Sequence, residues 1–103
     1  MASQRNQRSQ TGRPIVSLLG ILGQRWTLRV MWELRHEPVT FRELRELCDD
    51  VSPTVLNERL KTLRKHGLVK RSDDGYVYTA LGHELGARVQ ELDRFAKRWA
   101  KRT

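Results

Sequence analysis

Residues 40–67 read TFRELRELCDDVSPTVLNERLKTLRKHG, and this stretch decides the fold. Thr40 has the chemistry of a helix N-cap, and Glu43 follows three residues later, as in a capping box. The apolar residues that come next recur at helical spacing, which predicts a helix over residues 41–48. The side chains expected to face inward are Phe41, Leu44 and Leu47.

A second helix is expected over residues 53–66, after a short turn at residues 49–51. Ser52 suits its N-cap and Pro53 its first position, whereas Gly67 suits the turn that ends it. Two helices joined by so short a turn predict a helix-turn-helix, whose second helix enters the major groove of DNA. Other helical hairpins share this pattern, so the motif alone is moderately specific.

The two faces of the second helix differ in chemistry. At about 100° per residue, Leu56, Leu60 and Leu63 fall on one face and form a core stripe. The opposite face carries hydroxyl, carboxylate and ammonium groups, which can meet base edges and phosphates. The side chains of this face are Thr54, Glu58, Lys61 and Lys65, with Asn57 and Thr62 on its flanks. An ordinary solvated helix face has a similar composition, so the segment that follows decides between the two interpretations.

That segment has the pattern of a β-hairpin. Two β-prone runs, residues 68–72 and 76–78, flank the sequence Asp73-Asp74-Gly75, and an Asp-Gly pair between such runs predicts a tight turn. A hairpin directly after a recognition helix is the wing of a winged helix-turn-helix. Lys70 and Arg71 on its first strand would lie near the DNA backbone. The expected fold is therefore mainly α with a small β-hairpin, a winged helix-turn-helix.

The rest of the chain divides into a tail and flanking helices. Residues 1–13 hold three arginines and no acid, without a periodic apolar face, so a flexible basic tail is expected. Residues 14–103 are expected to form one winged helix-turn-helix domain that ends in a dimerisation helix. Two further helices are expected ahead of Thr40. The first begins at Pro14, with Ile15, Leu18, Leu19 and Leu22 on one face; the second carries Trp26, Val30, Met31 and Leu34 and ends near His36.

The last helix carries more apolar surface than one small domain needs. It is expected over residues 80–101, with Thr79 as its cap, and its apolar residues form one stripe over five turns. A second copy of the chain is the simplest partner that would cover the surplus, so a homodimer is expected. The residues assigned to the dimer interface are Ile15, Leu18, Leu22, Val89, Leu92, Phe95 and Trp99.

Composition limits the classes of function. The 103 residues include 20 Lys or Arg against 12 Asp or Glu, a formal net charge of +8, which favours a polyanion such as double-stranded DNA. The lone cysteine, Cys48, makes no internal disulfide, and no spacing suggests a metal site. The longest apolar run, residues 15–23, is too short to cross a membrane, and no signal peptide is expected, so the location expected is the cytoplasm. No catalytic constellation and no cofactor motif is present, which excludes an enzyme.

The chain resembles the HxlR family of bacterial winged-helix regulators, relatives of the MarR group, over roughly residues 13–99. The matching stretches are LGQRWTL at 22–28, FREL at 41–44, VSPTVLNERL at 51–60, Leu63, GLVKR at 67–71 and YTALG at 78–82. The resemblance implies a dimeric repressor or activator that binds operator DNA and reads it with residues 52–61. The residues assigned to DNA binding are Thr40, Arg42, Ser52, Pro53, Thr54, Asn57, Glu58, Lys61, Lys70 and Arg71.

Two departures from the family bear on its chemistry. Members often carry a cysteine directly before the proline that starts the first helix, and in some it senses oxidants; here Arg13 takes that position, so this sensor is not expected. The wing is also short, and the carboxylates of Asp73 and Asp74 at its tip oppose deep insertion beside phosphates. Cys48 is expected to pack as a small hydrophobe, the alternative being a redox sensor activated by Arg42 and Arg45.

Two other functions are compatible with the sequence. A basic helical module that binds an acidic protein would carry a similar charge, as would a winged-helix protein that binds RNA or organises the nucleoid. The position of the hairpin directly after Gly67 favours DNA. The sequence leaves open the operator, the direction of regulation and a small-molecule effector.

Overall fold

The computed structural model describes residues 13–102, so the predicted basic tail lies outside the described residues except for Arg13. The described chain forms five helices and one two-stranded antiparallel sheet, and this confirms the expected mainly α fold with a small β-hairpin. In chain order the elements are α1 (Pro14–Leu22), α2 (Thr27–Glu33), α3 (Phe41–Leu47), α4 (Pro53–Lys65), β1 (Val69–Ser72), β2 (Gly75–Tyr78) and α5 (Ala80–Arg102). None of these helices is long and apolar enough to cross a membrane.

Side-chain caps begin both helices of the helix-turn-helix. The Thr40 hydroxyl accepts the Glu43 N–H at 3.1 Å, and the Glu43 carboxylate accepts the Thr40 N–H at 3.0 Å, which completes the predicted capping box. The Ser52 hydroxyl accepts the Val55 N–H at 3.1 Å, and Pro53 follows at the first helical position, where its missing N–H costs nothing. Local chemistry therefore determines where α3 and α4 begin.

The core lies between α2, α3 and α4. Leu56, Leu60 and Leu63 of α4 are at most 1% exposed, as the predicted stripe requires. They pack with Val30, Met31 and Leu34 from the α2 region and with Leu44 from α3. Burying one such side chain stabilises the fold by about 1.5–3 kcal/mol, so the recognition helix is fastened mainly by apolar contacts.

The predicted bounds of the second helix are wrong at both ends. Trp26 precedes α2 with a left-handed φ of 79°, and its half-buried ring packs against the core from outside the helix. At the other end, Leu34 is the C-cap rather than a helical residue. The Trp32 carbonyl at this end accepts both the Arg35 backbone N–H at 3.2 Å and the Arg35 Nη1 at 2.8 Å.

Leu47 was predicted to face inward but is exposed, and α1 also leaves apolar side chains in solvent. Leu47 is 44% exposed because it ends a helix of seven residues, and the adjacent Cys48 fills the core position in its place. On α1, Leu18 and Leu22 are half-buried, whereas Ile15 and Leu19 are exposed. Within the described residues nothing covers this outer side of α1.

The wing is a hairpin closed by two acidic residues. Val69 pairs with Tyr78 and Ser72 with Gly75, so Asp73 and Asp74 form the turn. Val39, which precedes α3, adds a short antiparallel bridge to Tyr76. Gly75 has a φ of +132°, and a Cβ on it would lie 2.6 Å from the Val39 carbonyl carbon. Glycine is therefore required where the hairpin meets the chain entering α3.

Tyr78 joins the wing to the helices. Its buried hydroxyl donates to the Met31 carbonyl of α2, and its ring lies edge-on to the His83 ring of α5, with centroids 5.2 Å apart. Burial raises the pKa of Tyr78 to about 12, because the phenolate would lose its hydration in the core.

This raised pKa predicts a step of alkaline destabilisation. A group whose pKa is higher in the folded than in the unfolded chain stabilises the fold below the unfolded value, near pH 10, and this stability is lost as the pH rises toward 12. We expect the free energy of unfolding to fall by about 2 kcal/mol over this interval. Tyr78→Phe should be less stable than wild type at pH 9 and should lose this part of the pH dependence. Chemical denaturation at several pH values measures both, with Tyr76→Phe as the matched control; an equally steep decline in Tyr78→Phe would contradict the assignment.

Candidate DNA-binding surface

The outward face of α4 carries the side chains assigned to base reading. Thr54, Asn57, Glu58 and Lys61 are all exposed, on the side opposite the buried leucines. Ser52 and Pro53, at the N-terminus of the same helix, are exposed as well. The structure thus brings six of the ten predicted DNA-binding residues to one helix. They offer hydroxyl, amide, carboxylate and ammonium groups, which suit the donors and acceptors of base edges.

A basic groove runs between α4 and β1. Its floor is Val69, and every other residue that lines it is a cation: Lys61, Arg64, Lys65, Lys70 and Arg71. Within the described residues none of these five cations has a carboxylate within ion-pair distance, as the ion pairs there involve Arg29, Arg42, Arg94 and Lys97. Five unneutralised cations in one groove create a strongly positive potential. We name this feature the basic groove.

Two members of the basic groove were not among the residues assigned to DNA binding, although Lys65 was predicted on the outward face of α4. Arg64 and Lys65 occupy the last turn of α4, where cations also suit the negative end of the helix dipole. They follow Lys61 by three and four residues, a spacing that places all three side chains on nearby faces of α4. The groove exists because the Leu68 N–H donates to the Leu63 carbonyl at 2.9 Å, which turns the chain back alongside α4.

Two predicted residues lie neither on α4 nor in the basic groove. Thr40 uses its hydroxyl oxygen to cap α3. Arg42 extends into solvent on α3 and pairs weakly with Glu46, with 3.8 Å between Nε and Oε2. Thr40 and Arg42 can contact a DNA backbone that passes the start of α3, but they do not line the basic groove.

Two arginines hold the helix-turn-helix in place by donating to backbone carbonyls. Arg45 donates from Nε to the Val51 carbonyl at 2.7 Å, and Arg59 donates from Nε to the Arg25 carbonyl at 2.7 Å. Asp49 and Asp50 between the helices both have a left-handed φ of 58°, a conformation that Asp tolerates better than most residues. These bonds position α4 from both sides, and sequence reasoning did not identify them.

Arg29 of α2 fastens the end of α3. Its Nη2 donates to the Leu47 carbonyl at 2.6 Å, its Nε to Glu33 Oε2 at 2.8 Å, and its Nη1 lies 3.5 Å from Asp49 Oδ2. The hydrogen bond to Glu33 raises the pKa of Arg29 above its ordinary value. A guanidinium that donates to a C-terminal carbonyl is favourable because helix ends carry negative partial charge.

Cys48 is fully buried. Desolvation by burial raises the pKa of its thiol, an effect that the charge of Arg29 only partly opposes. The cation that acts on this thiol is Arg29. The contacts do not favour the alternative of a redox sensor activated by Arg42 and Arg45, because Arg45 donates to the Val51 carbonyl and Arg42 pairs with Glu46 in solvent. A buried thiol with a raised pKa is a poor nucleophile.

An open apolar face lies away from the basic groove. On α5, Leu92, Phe95 and Trp99 are 53%, 54% and 58% exposed, whereas Val89 is buried by its own chain. The face continues onto α1 through Ile15 and Leu19. Between the two helices runs an apolar groove lined by Leu19, Leu22, Gly23, Leu28, Leu85, Val89 and Leu92, with Arg88 at its edge.

Among the described residues, no group of three or more His, Cys, Asp or Glu side chains could hold a metal ion. The three histidines are separated: His36 and His66 are exposed after α2 and α4, and His83 lies on α5 beside Tyr78.

Comparison with known proteins gives one consistent family. A sequence profile of the HxlR-like helix-turn-helix family matches residues 21–103. The HTH-type transcriptional regulator YvaP of Bacillus subtilis is 30% identical over 86 residues, which cover 77% of this chain and 80% of YvaP. The HTH-type transcriptional regulator YodB of the same organism is 29% identical over 92 residues, covering 82% of both chains. A crystal structure of quinone-bound YodB superposes with a TM-score of 0.73 at 32% identity, covering 82% of this chain and 97% of that one.

The burial of Cys48 predicts that its thiol is not a regulatory switch. The native thiol should react with a disulfide dye about a hundredfold or more slowly than the denatured thiol, because reaction needs an exposed thiolate. Cys48→Ser should leave DNA affinity and its response to oxidants unchanged. Cys48→Ala, which keeps the site apolar, separates loss of the thiol from the cost of a buried hydroxyl. If both variants lose a response to oxidants that the wild type shows, the assignment of a purely packing role is wrong.

Proposed function

We propose that this chain binds its operator as a homodimer. The chain belongs to the HxlR-like helix-turn-helix family and is a DNA-binding transcriptional regulator rather than an enzyme. Residues 53–66 would read the major groove, and the bound dimer would act as a repressor. The observation that carries this proposal is the basic groove, because five unpaired cations beside an exposed recognition helix match the path of a DNA strand. The family membership sets aside the protein-interaction and RNA-binding alternatives.

The base contacts would come from the first half of α4. Thr54, Asn57 and Glu58 are exposed there, and the N-terminal residues of a recognition helix reach base edges. Asn57 can pair with both adenine edge atoms in the major groove, and Glu58 can accept from the cytosine amino group. Arg59 holds this helix in place, since its hydrogen bond to the Arg25 carbonyl ties α4 to the loop before α2.

The phosphate contacts would come from the basic groove. Lys61, Arg64 and Lys65 form its helical wall, and Lys70 and Arg71 form its strand wall. Arg71 is also held near the Tyr76 ring, with its guanidinium carbon 5.7 Å from the ring centroid. A phosphate chain lying in this groove would be neutralised from both sides and would release its counterions. The acidic wing tip would stay outside the minor groove.

The open apolar face supports the homodimer. Leu92, Phe95 and Trp99 leave more than half of their surface in water, together with Ile15 and Leu19 on α1. Monomeric proteins rarely expose contiguous apolar patches larger than roughly 300–600 Å², and a two-fold axis would let α1 and α5 of two copies cover each other. Such a dimer presents two recognition helices to a palindromic operator.

Repression requires only that the dimer occupies its operator. We place this action in the cytoplasm, where the operator DNA of a bacterial regulator lies. A small-molecule effector is also part of the proposal, supported by the quinone found in the YodB structure.

Two substitutions should separate positioning contacts from specifying contacts. Arg71→Ala should weaken binding to operator and scrambled duplexes alike and lower the salt slope by about one unit, because one phosphate contact is lost. Asn57→Ala should cost about 1–3 kcal/mol on the operator, at one or two base pairs, with little effect on random DNA. Titrations over a range of salt concentrations measure both.

The control for these titrations is Lys101→Ala, which removes one positive charge from the far end of α5. It should leave both the salt slope and the sequence preference unchanged. If Asn57→Ala weakens both duplexes equally, or if Arg71→Ala changes the sequence preference, the placement of α4 and the wing on DNA is wrong.

Charged substitutions on α5 should abolish the dimer. Leu92→Glu and Trp99→Glu place carboxylates in the apolar face, where an unpaired buried charge costs several kcal/mol, so monomers or aggregates are expected. Gln90→Glu adds the same group to an exposed position of α5 outside the apolar stripe and should leave the dimer intact. Sedimentation at micromolar concentration measures the result. A wild-type protein that is already monomeric under these conditions would overturn the proposed dimer.

A further inference from the structure

Hydrogen bonds join the segment that follows the recognition helix to the start of α5. The Thr79 hydroxyl donates to the Gly67 carbonyl at 2.5 Å and accepts the Gly82 N–H at 2.9 Å. The Thr79 N–H donates to the Leu68 carbonyl at 3.2 Å. Since Gly67 and Leu68 directly follow α4, the segment that ends the recognition helix is bonded to the first turn of α5.

Two glycines bring α5 close to the Leu68 backbone, just before the wing, and to the Tyr78 ring of β2. A Cβ on Gly82 would lie 1.9 Å from the Leu68 carbonyl oxygen, and a Cβ on Gly86 would lie 2.4 Å from Cε2 of Tyr78. Gly82 and Gly86 are four residues apart, so they lie on one face of the helix. Any larger residue at either position would force α5 away from the wing or rotate it about its axis.

Tyr78 connects this contact between α5 and the wing to a third element, α2. Its ring fills the space beside Gly86, and its hydroxyl donates to the Met31 carbonyl of α2. The residues Thr79, Gly82, Gly86 and Tyr78 together form what we name the α5 joint. Every contact within this joint is a hydrogen bond or a backbone-close packing contact, so its geometry tolerates little adjustment.

We infer that the α5 joint determines which spacing of operator half-sites the protein accepts, and that Tyr78 is its specificity-determining residue. This inference rests on the proposed homodimer. The apolar face of α5 relates the two copies, whereas α4 contacts the DNA, so the angle between α5 and α4 sets the distance and rotation between the two recognition helices. Adding one base pair between half-sites rotates one half-site against the other by about 35° around the DNA axis. A stiff α5 joint does not let the two recognition helices rotate by the same amount.

The main contacts that hold α4 in place lie outside this joint. Leu56, Leu60 and Leu63 hold α4 against α2 and α3, and Arg59 and Arg45 anchor it through backbone carbonyls. Loss of the Tyr78 hydroxyl also leaves no carbonyl without a donor, because the Met31 carbonyl accepts the Leu34 N–H at 3.3 Å. Spacing and half-site affinity are therefore separable measurements.

The experiment uses the full chain and an operator recovered by selection from random duplexes. Duplexes with the same half-sites moved one base pair closer and one and two base pairs apart, together with a single half-site, are titrated with each variant. Wild type should lose affinity about tenfold for a change of one base pair, the order of cost expected for twisting DNA. Tyr78→Phe should reduce this penalty about fivefold, the factor that one ordinary hydrogen bond represents, with half-site affinity within about twofold of wild type.

Tyr76→Phe is the matched control, because it makes the same change two residues earlier in the same strand, on a ring that lies near the Arg71 guanidinium, whereas the glycines of α5 contact Tyr78. It should keep the wild-type penalty. Should Tyr78→Phe not fold, as judged by its thermal transition, Thr79→Val removes the hydroxyl between Gly67 and Gly82 and is expected to have the same effect on spacing.

The outcomes separate this inference from the function on which it rests. If wild type prefers one spacing and Tyr78→Phe keeps the full penalty, or loses half-site and full-site affinity in equal proportion, the inference is overturned alone. If wild type binds as a monomer, the proposed dimeric function is overturned, and the inference with it. If wild type is a dimer but shows no spacing preference, the inference is overturned alone. A reduced penalty with unchanged half-site affinity supports both.

Discussion

The contact on which the rest of the structure depends is the buried side chain of Tyr78. Its hydroxyl donates to a carbonyl 47 residues earlier in the chain, at Met31, and a buried phenol without such a partner would cost stability. This bond is possible only if β2 lies over α2, and the ring then occupies the space that α5 would need for a side chain at Gly86. The wing, the core helix and the long terminal helix are thus arranged around one polar atom. The remaining buried residues are apolar apart from Thr27, so they exclude water but specify the relative orientation less sharply.

The basic residues fall into two groups that differ in their partners. Arg29, Arg45 and Arg59 donate to backbone carbonyls that the turns and helix ends leave open, and in this way they shape the helix-turn-helix from inside the protein. The cations of the basic groove have no carboxylate partner among the described residues. Unpaired surface cations in one groove repel each other, and an external polyanion relieves this repulsion. The net charge alone does not distinguish the two groups.

The open apolar face arises because the core of the domain is already full. The core between α2, α3 and α4 is already filled by residues that are almost fully buried. Within the described residues 13–102, Leu92, Phe95 and Trp99 of α5 and Ile15 and Leu19 of α1 therefore remain exposed. α5 has 23 residues, roughly 34 Å of helix, and only its first part contacts the domain. We propose that a second copy covers the remainder, and the glycine contacts at Gly82 and Gly86 then transmit the orientation of the dimer to the recognition helices.

Local chemistry in the sequence determined the elements. The capping box at Thr40, the Ser52-Pro53 start, the Asp-Gly turn and the leucine stripe of α4 act over one to seven residues, and each was predicted from the sequence. The sequence also determined the family, and with it the function as a DNA-binding regulator. Only the tertiary structure decided that Leu47 is exposed while Cys48 is buried, that Trp26 lies outside its helix, and that Arg64 and Lys65 join the basic groove. It also decided that Gly82 and Gly86 pack against the wing. These features depend on contacts between residues far apart in the chain, such as Arg59 with Arg25 and Tyr78 with Met31, and neither periodicity nor capping carries information about such contacts.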